Sequence, residues 1–132
     1  MTTPKIAVVT GASSGIGEAT ARALAAAGYS LYLGARRMDR LQTIAASIQG
    51  HALPLDVTDR ASVQAFAASL PPQVHVLVNN AGGALGLAPV AEFDEDHWLA
   101  MFQSNVLGLA RMTRELHGRL LASGDGHVVN IG

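Results

Sequence analysis

The stretch Ile6-Ala7-Val8-Val9-Thr10-Gly11-Ala12-Ser13-Ser14-Gly15-Ile16-Gly17 joins a short apolar run to a cluster of glycine, alanine and serine. The unbroken run from Ile6 to Val9 reads as a strand buried on both faces, because a strand with one wet face alternates apolar and polar residues. Glycine then ends the strand at Gly11. From Ile16 to Ala27 the chain is dense in alanine, with Leu24 and Glu18, all strong helix formers, and Gly28 supplies the stop.

The same alternation repeats outward from that unit. Ser30–Ala35 reads as a second strand. Arg37 to Ile48 reads as a helix, with Leu41, Ile44, Ala45 and Ile48 at i, i+3, i+4 and i+7, and Gly50 closes it. His51–Asp56 is a third strand, and Thr58 or Asp59 can cap the helix that runs to Leu70, where Pro71-Pro72 breaks the chain. Val74–Asn79 is a fourth strand, its apolar run broken by His75. A glycine- and alanine-rich loop runs from Ala81 to about Glu92, and its residues Gly83 to Pro89 are candidates to border a substrate. Asp94 then caps a long helical stretch reaching about Ala122 and bent near Gly108. Asp94-Glu95-Asp96 suits the positive end of its dipole. After a turn at Gly124–Gly126, His127–Ile131 is a fifth apolar strand. Met38, Met101, Met112 and Trp98, at helical positions, read as core or interface filler.

Crossovers of this length imply parallel strands, right-handed connections and helices on both faces. The fold class is therefore α/β, a doubly wound Rossmann-type sheet of five strands in one domain over residues 1–132. At 132 residues, 49% apolar and 14% charged, the chain has material for a proper core. A net charge of -1 gives no electrostatic footprint for nucleic acid or an anionic membrane. No apolar run approaches the about 18 residues of a membrane span, and Met1 to Val9 lacks a signal peptide's layout, so a cytoplasmic chain is expected. The absence of cysteine excludes disulfides and thiolate chemistry. The histidines (51, 75, 97, 117 and 127) form no H-x-x-x-H or H-E-x-x-H pair, and no metal site is expected.

In a doubly wound sheet the turn after the first strand faces ligand, at the carboxyl ends of the strands. Unpaired N–H groups and the positive end of a helix dipole converge there, and glycine lets a diphosphate approach the backbone. The spacing Gly11-x-x-x-Gly15-x-Gly17 departs from the general G-x-G-x-x-G fingerprint. A plainer reading is a turn that only lets helix pack on strand. A rival reading takes Gly11-Ala12-Ser13-Ser14-Gly15 as the G-x-S-x-G elbow of a serine hydrolase, with Asp56 and His127 supplying the acid and histidine in the required order. It leaves Gly17 without a role and offers no preceding strand–loop for a second oxyanion donor.

Three motifs in order, Thr10–Gly17, Asn79-Asn80-Ala81-Gly82 and Asn105-Val106-Leu107-Gly108, resemble those of the short-chain dehydrogenase/reductase family, and the resemblance covers the whole chain. It implies an oxidoreductase that transfers hydride between a nicotinamide cofactor and the carbonyl or alcohol carbon of a small molecule. The glycine turn, with Gly11, Ser13, Ser14, Gly15, Ile16 and Gly17, would hold the cofactor diphosphate. Asp56 would accept from the adenine amino group, with Val57 supplying a backbone contact or ring packing. The tetrapeptide Asn79, Asn80, Ala81 and Gly82 would brace the sheet and border the cofactor, its amide side chains able to bond neighbouring backbone where the strands open. The helix from Glu95 resembles the family's dimer-forming helix, so a homo-oligomer is expected of the complete form.

An NAD-binding fold places Asp or Glu about 20 residues beyond the glycines, bonded to the ribose 2′-hydroxyl. Here Ala35 takes that place and Arg36 follows it. A guanidinium binds a 2′-phosphate bidentately where an acid would repel it. NADP(H) is therefore expected over NAD(H); the plainer reading takes Arg36, Arg37 and Arg40 as a solvated helix start.

Asn105 is unusual inside a helix, where its amide competes with the backbone. Resemblance implies that it distorts its helix and holds a water in a proton relay. The family's Ser, Tyr and Lys follow the fifth strand, and no Tyr-x-x-x-Lys occurs in residues 1–132. The alternatives are an inactive nucleotide-binding fragment or interaction module and part of a longer enzyme, and the second is expected because His127–Ile131 would otherwise form an apolar edge with no charge or proline to blunt it. Residues 1–132 made alone should associate through that edge. Light scattering checks this, and a monodisperse monomer would refute it.

Overall fold

The strand read from Ile6 to Thr10 lies at the centre of a five-stranded parallel sheet. The computed structural model describes residues 3–84 and 87–132. β1 (Ile6–Thr10), β2 (Ser30–Ala35), β3 (His51–Pro54), β4 (Val76–Asn79) and β5 (His127–Asn130) stand in the order β3-β2-β1-β4-β5. Five helices connect them: α1 (Gly15–Ala26), α2 (Met38–Ser47), α3 (Arg60–Ala68), α4 (Glu95–Phe102) and α5 (Gly108–Ala122).

Alternation along β1 explains why its sequence does not alternate. Ala7 and Val9 belong to one core with Leu31, Leu33, Leu41 and Ile44, whereas Val8 points the other way, among Val63, Phe66, Met112 and Leu116. The first core carries α1 and α2; the second carries α3 and α5. The chain thus winds outward from β1 to β3 on one side, then returns to pair β4 against the free edge of β1, in register Ala7↔Val76 to Val9↔Val78. That reversal makes the carboxyl ends of β1 and β4 the topological switch point, where doubly wound sheets open a crevice.

Several element boundaries differ from the sequence expectation for local reasons. β3 stops at Pro54 rather than Asp56, because its partner β2 ends at Ala35. Leu55 N still donates to Ala35 O at 3.0 Å, and Asp56 then turns back on itself. β4 starts at Val76 rather than Val74, since Val74 N donates to Arg119 O in α5 instead of to a strand. The long stretch after Asp94 runs helical to Ala122 as expected, and its irregularity near Gly108 is a π-helical turn at Gln103–Leu107 that joins α4 to α5. Among the described residues β5 is an edge strand paired with β4 alone, and all four of its residues are exposed, the apolar edge expected of it. The loop from Ala81 contains a 3₁₀ turn at Val90–Glu92, and its residues 85 and 86 lie outside the described residues.

Asp59, not Thr58, caps α3, its Oδ1 accepting from Ala61 N at 3.0 Å. Asp94 caps α4 in the same way, accepting from Asp96 N and His97 N. Replacing Asp59 by alanine leaves the first turn of α3 uncapped and should cost about 1 kcal/mol. Urea unfolding checks this, and a wild-type midpoint for Asp59→Ala contradicts it.

Candidate functional site

At the switch point a cleft of about 660 Å³ opens over the carboxyl ends of the strands. Of the residues singled out from sequence, Gly11, Ser13, Ser14, Gly15, Ile16, Arg36, Asp56, Val57, Ala81 and Gly82 line it. Gly17, Asn79 and Asn105 are not on its wall, and each is committed to a neighbour one layer back.

The turn needs its glycines for two different reasons. Gly11 and Gly15 have φ of +61° and +57°, in the left-handed region that side chains avoid, and the space a Cβ of Gly15 would enter is open. Gly17 has ordinary dihedrals but no room: a Cβ there would stand 2.2 Å from Gly11 O and 2.5 Å from Asn80 Nδ2. α1 can therefore begin directly beneath the turn. Ser14 is its N-cap residue yet makes no side-chain cap bond, whereas Asp59 and Asp94 do cap their helices. The first N–H groups of α1 are left for an anion, and a Cβ-free wall admits one to the backbone. This arrangement fits a diphosphate.

The turn is pinned to β4 by a residue that sequence reasoning did not assign. Thr10, 1% exposed, accepts through Oγ1 from Asn80 N at 3.0 Å and Ala81 N at 2.9 Å, and donates to Val78 O at 3.4 Å. Asn80 Nδ2 donates to Gly11 O at 3.1 Å, and Asn80 lines the cleft. Asn79 instead belongs to β4 and is buried, its Nδ2 donating to Thr113 Oγ1 at 3.2 Å and Asn130 Oδ1 at 3.1 Å. The two asparagines share a motif but have opposite duties, and the strand's end between them was the available signal.

Arg36 and Arg37 stand on the wall after β2, and the segment Asp56-Val57-Thr58, after the neighbouring strand β3, lines it beside them. Arg40 is exposed in the first turn of α2 but is not without partners. Its Nε donates to Ser13 O and its Nη2 to Glu18 Oε1 at 3.0 Å, while Glu18 also pairs with Arg22 at 3.0 Å. The turn is thus anchored from α2 as well as from β4. These pairs are exposed, so their worth lies in geometry more than in energy.

Asn105 sits in the π-turn and grips one residue of the loop after β4. Its Oδ1 accepts from Gly83 N at 2.9 Å and its Nδ2 donates to Gly83 O at 2.9 Å. Gly82 lies at φ +142°, and a Cβ there would collide with Asn105 Oδ1. Widened turns of this kind mark places where a helix is deformed to hold a side chain. Gly83, Ala84, Ala100 and Ser104 complete that side of the cleft.

Comparison with known proteins agrees with this geometry. The chain matches the short chain dehydrogenase family over residues 5–132. The chain belongs to that family. It is 55% identical over 130 residues to an uncharacterized oxidoreductase of Mycobacterium tuberculosis, covering 98% of this chain and 51% of that protein. It is 39% identical over 132 residues to the NADP-dependent 3-hydroxy acid dehydrogenase YdfG of Salmonella typhi, covering 96% and 53%. Among solved structures, the closed form of serine dehydrogenase complexed with NADP+ superposes with a TM-score of 0.88 at 37% identity, over 96% of this chain and 53% of that one. The chain therefore spans about half the length of the curated relatives it matches.

Membership in the short-chain dehydrogenase family leaves no place for the serine hydrolase reading, and the sheet overturns it directly. Ser13 follows the carboxyl end of β1, whereas His127 opens β5 in register with Val76, at the opposite end of the sheet. His127 pairs there with Asp125 at 3.1 Å, and Asp125 also takes Lys5 at 3.1 Å. Among the described residues no group of three His, Asp or Glu gathers to hold a metal, and no helix is long and apolar enough to cross a membrane.

The carboxyl of Asp56 is held below its ordinary pKa, chiefly by the Thr58 hydroxyl donating at 2.6 Å, with help from Thr58 N at 3.0 Å and the charge of Arg36. Partial burial opposes this. A depressed carboxyl stabilises the fold fully above its unfolded pKa of about 3.9, and that contribution is lost as pH falls through the lower folded value. Thr58→Ala removes the main cause, so Asp56 should titrate at higher pH by carboxyl-carbon NMR. An unchanged midpoint counts against the assignment.

Proposed function

We propose that the protein is an NADP(H)-dependent oxidoreductase that moves hydride between the nicotinamide and a carbonyl or alcohol carbon of a small-molecule substrate. The observation that carries this reading is the pairing, on one cleft, of an uncapped helix start behind a glycine turn with Arg36 at the end of β2, where NAD-binding folds place an acid. The relatives described as NADP-dependent or solved with NADP+ support it. The bound cofactor supplies the hydride chemistry. Residues of this chain capture it: Gly11 to Gly17 receive the diphosphate, Arg36 the 2′-phosphate, Asp56 and Val57 the adenine, and Ala81 and Gly82 border the nicotinamide half from the end of β4. Asn79 serves the same site from beneath by holding β4 to β5.

Asn105 is assigned to the proton relay, working from a side chain whose two ends are both fixed on Gly83. No Tyr-x-x-x-Lys occurs among residues 1–132, and the tyrosine that exchanges the proton with substrate is proposed, with its serine and lysine, to follow β5. A nucleotide-binding module without turnover would share the whole cleft, so turnover by the protein separates the two readings. The exposed row Trp98, Leu99, Phe102 and Val106, on α4 and the π-turn, supports self-association. A cytoplasmic location is consistent with the cofactor.

Arg36→Ala should weaken NADPH about tenfold, as expected for loss of a charge-assisted contact at an exposed site, and leave NADH nearly unchanged. Nucleotide fluorescence titration reads both. An unaltered preference for NADPH removes Arg36 from the site, and failure to bind either nucleotide removes the proposal.

A further inference from the structure

α5 reaches back to the cleft in two places, and the proposed reaction accounts for neither. Gly108 packs so closely on Val57 that a Cβ would stand 2.6 Å from Val57 Cγ2. One turn further along, Arg111 Nη1 donates to Val57 O at 3.2 Å and to Gln103 O at 3.5 Å, while its Nη2 donates to Gln103 Oε1 at 2.9 Å. Among the described residues the ion pairs join Lys5, Arg22, Arg40, Arg114 and His127 to acids, and none involves Arg111. Its charge is spent on neutral oxygens that lie in two separate segments. Gln103 opens the π-turn, and Gly108 N donates to Gln103 O across it. The same turn carries Asn105, whose amide holds both polar groups of Gly83.

These contacts connect Val57 through Arg111 to Gln103, and the backbone of the π-turn carries the connection on to Asn105 and Gly83. Val57 and Gly83 both line the cleft. A π-turn is intrinsically less favourable than an α-turn and persists only where its surroundings over-determine it. A planar fork of donors meets that need, because it fixes two oxygens in one plane; a lysine ammonium offers a point charge without that geometry.

We infer that Arg111 is a positioning residue that couples the adenine wall of the cleft to the Asn105 clamp on Gly83. The inference rests on the proposed cofactor reading, since it requires a nucleotide to press on Val57. Filling the adenine side alone then tightens the Asn105 turn, although nothing on that side touches it. Coupling of this kind is a free energy shared between two sites through a connected element.

The test uses the protein with adenosine 2′,5′-bisphosphate, which carries the adenine and 2′-phosphate but no nicotinamide. The readout is amide hydrogen exchange at Gly83, whose N–H is donated to Asn105, compared with Gly50, whose N–H is donated to Ala45 O far from the cleft. Bound nucleotide should slow Gly83 at least about fivefold relative to Gly50 in the wild type. Arg111→Lys should still bind the nucleotide and lose most of that slowing. Gln103→Ala, which removes one of the three acceptors, should lose part of it, and it decides the matter by the same criterion if Arg111→Lys does not fold. Slowing retained in the variant, or shared equally by Gly50, overturns the coupling. Wild-type protein that binds the nucleotide without slowing at Gly83 overturns it too, and leaves the cofactor reading standing. Wild-type protein that does not bind the nucleotide overturns both.

Discussion

The hydroxyl of Thr10 is the joint on which the cleft depends. It is buried at the end of the central strand, and it uses its full hydrogen-bonding capacity: two backbone N–H groups from Asn80 and Ala81 in, one bond to Val78 out. β1 and β4 are neighbours in the sheet but lie some 70 residues apart in sequence, and just beyond them the chain turns in different directions. Without a tie at that point the glycine turn and the loop after β4 would move independently. Asn80 repeats the tie one residue later through Gly11 O, and Gly17 brings α1 up against the same two groups. Any ligand at the switch point rests on this junction.

Around the joint, backbone freedom and side-chain restraint are divided in a consistent way. The turn at the centre of the cleft is made of glycine and uncapped N–H groups, which offer access and little rigidity. Rigidity is supplied by side chains around it: Arg40 on Ser13, Asn80 on Gly11, Thr58 on Asp56 and Asn105 on Gly83. Each of these bonds is made within the protein, so they shape the cleft without a ligand. A site that must bind and release nucleotide gains from this, since its geometry is preorganised without being filled.

How much was legible beforehand follows from the range of the interactions involved. The glycine turn, the helix stops and the 3.6-residue spacing of α2 are local, and β1, β2 and their helices stand where their residues placed them. Arg36 was readable because its meaning depends on its position after β2, a fixed distance from the glycines. Arg40 was not, because it acts on Ser13, 27 positions away, and nothing near it in the chain records that partner. The distortion of the helix at Asn105 was expected from resemblance, but its form was not: the π-turn at Gln103–Leu107 bonds Gly83 and Arg111, and helical spacing records neither contact.

Parallel alternation, a nucleotide-shaped turn and an arginine in place of an acid were thus already determined by the order of residues, since each is a property of one short segment and its period. Which asparagine faces the cleft, which acid caps α3, and how α5 ties Val57 to the turn carrying Asn105 were settled only by packing. The physical reason is that a hydrogen bond has a direction and a length of about 3 Å. Whether two segments distant in sequence meet within it depends on the sheet order and the twist that bring them together.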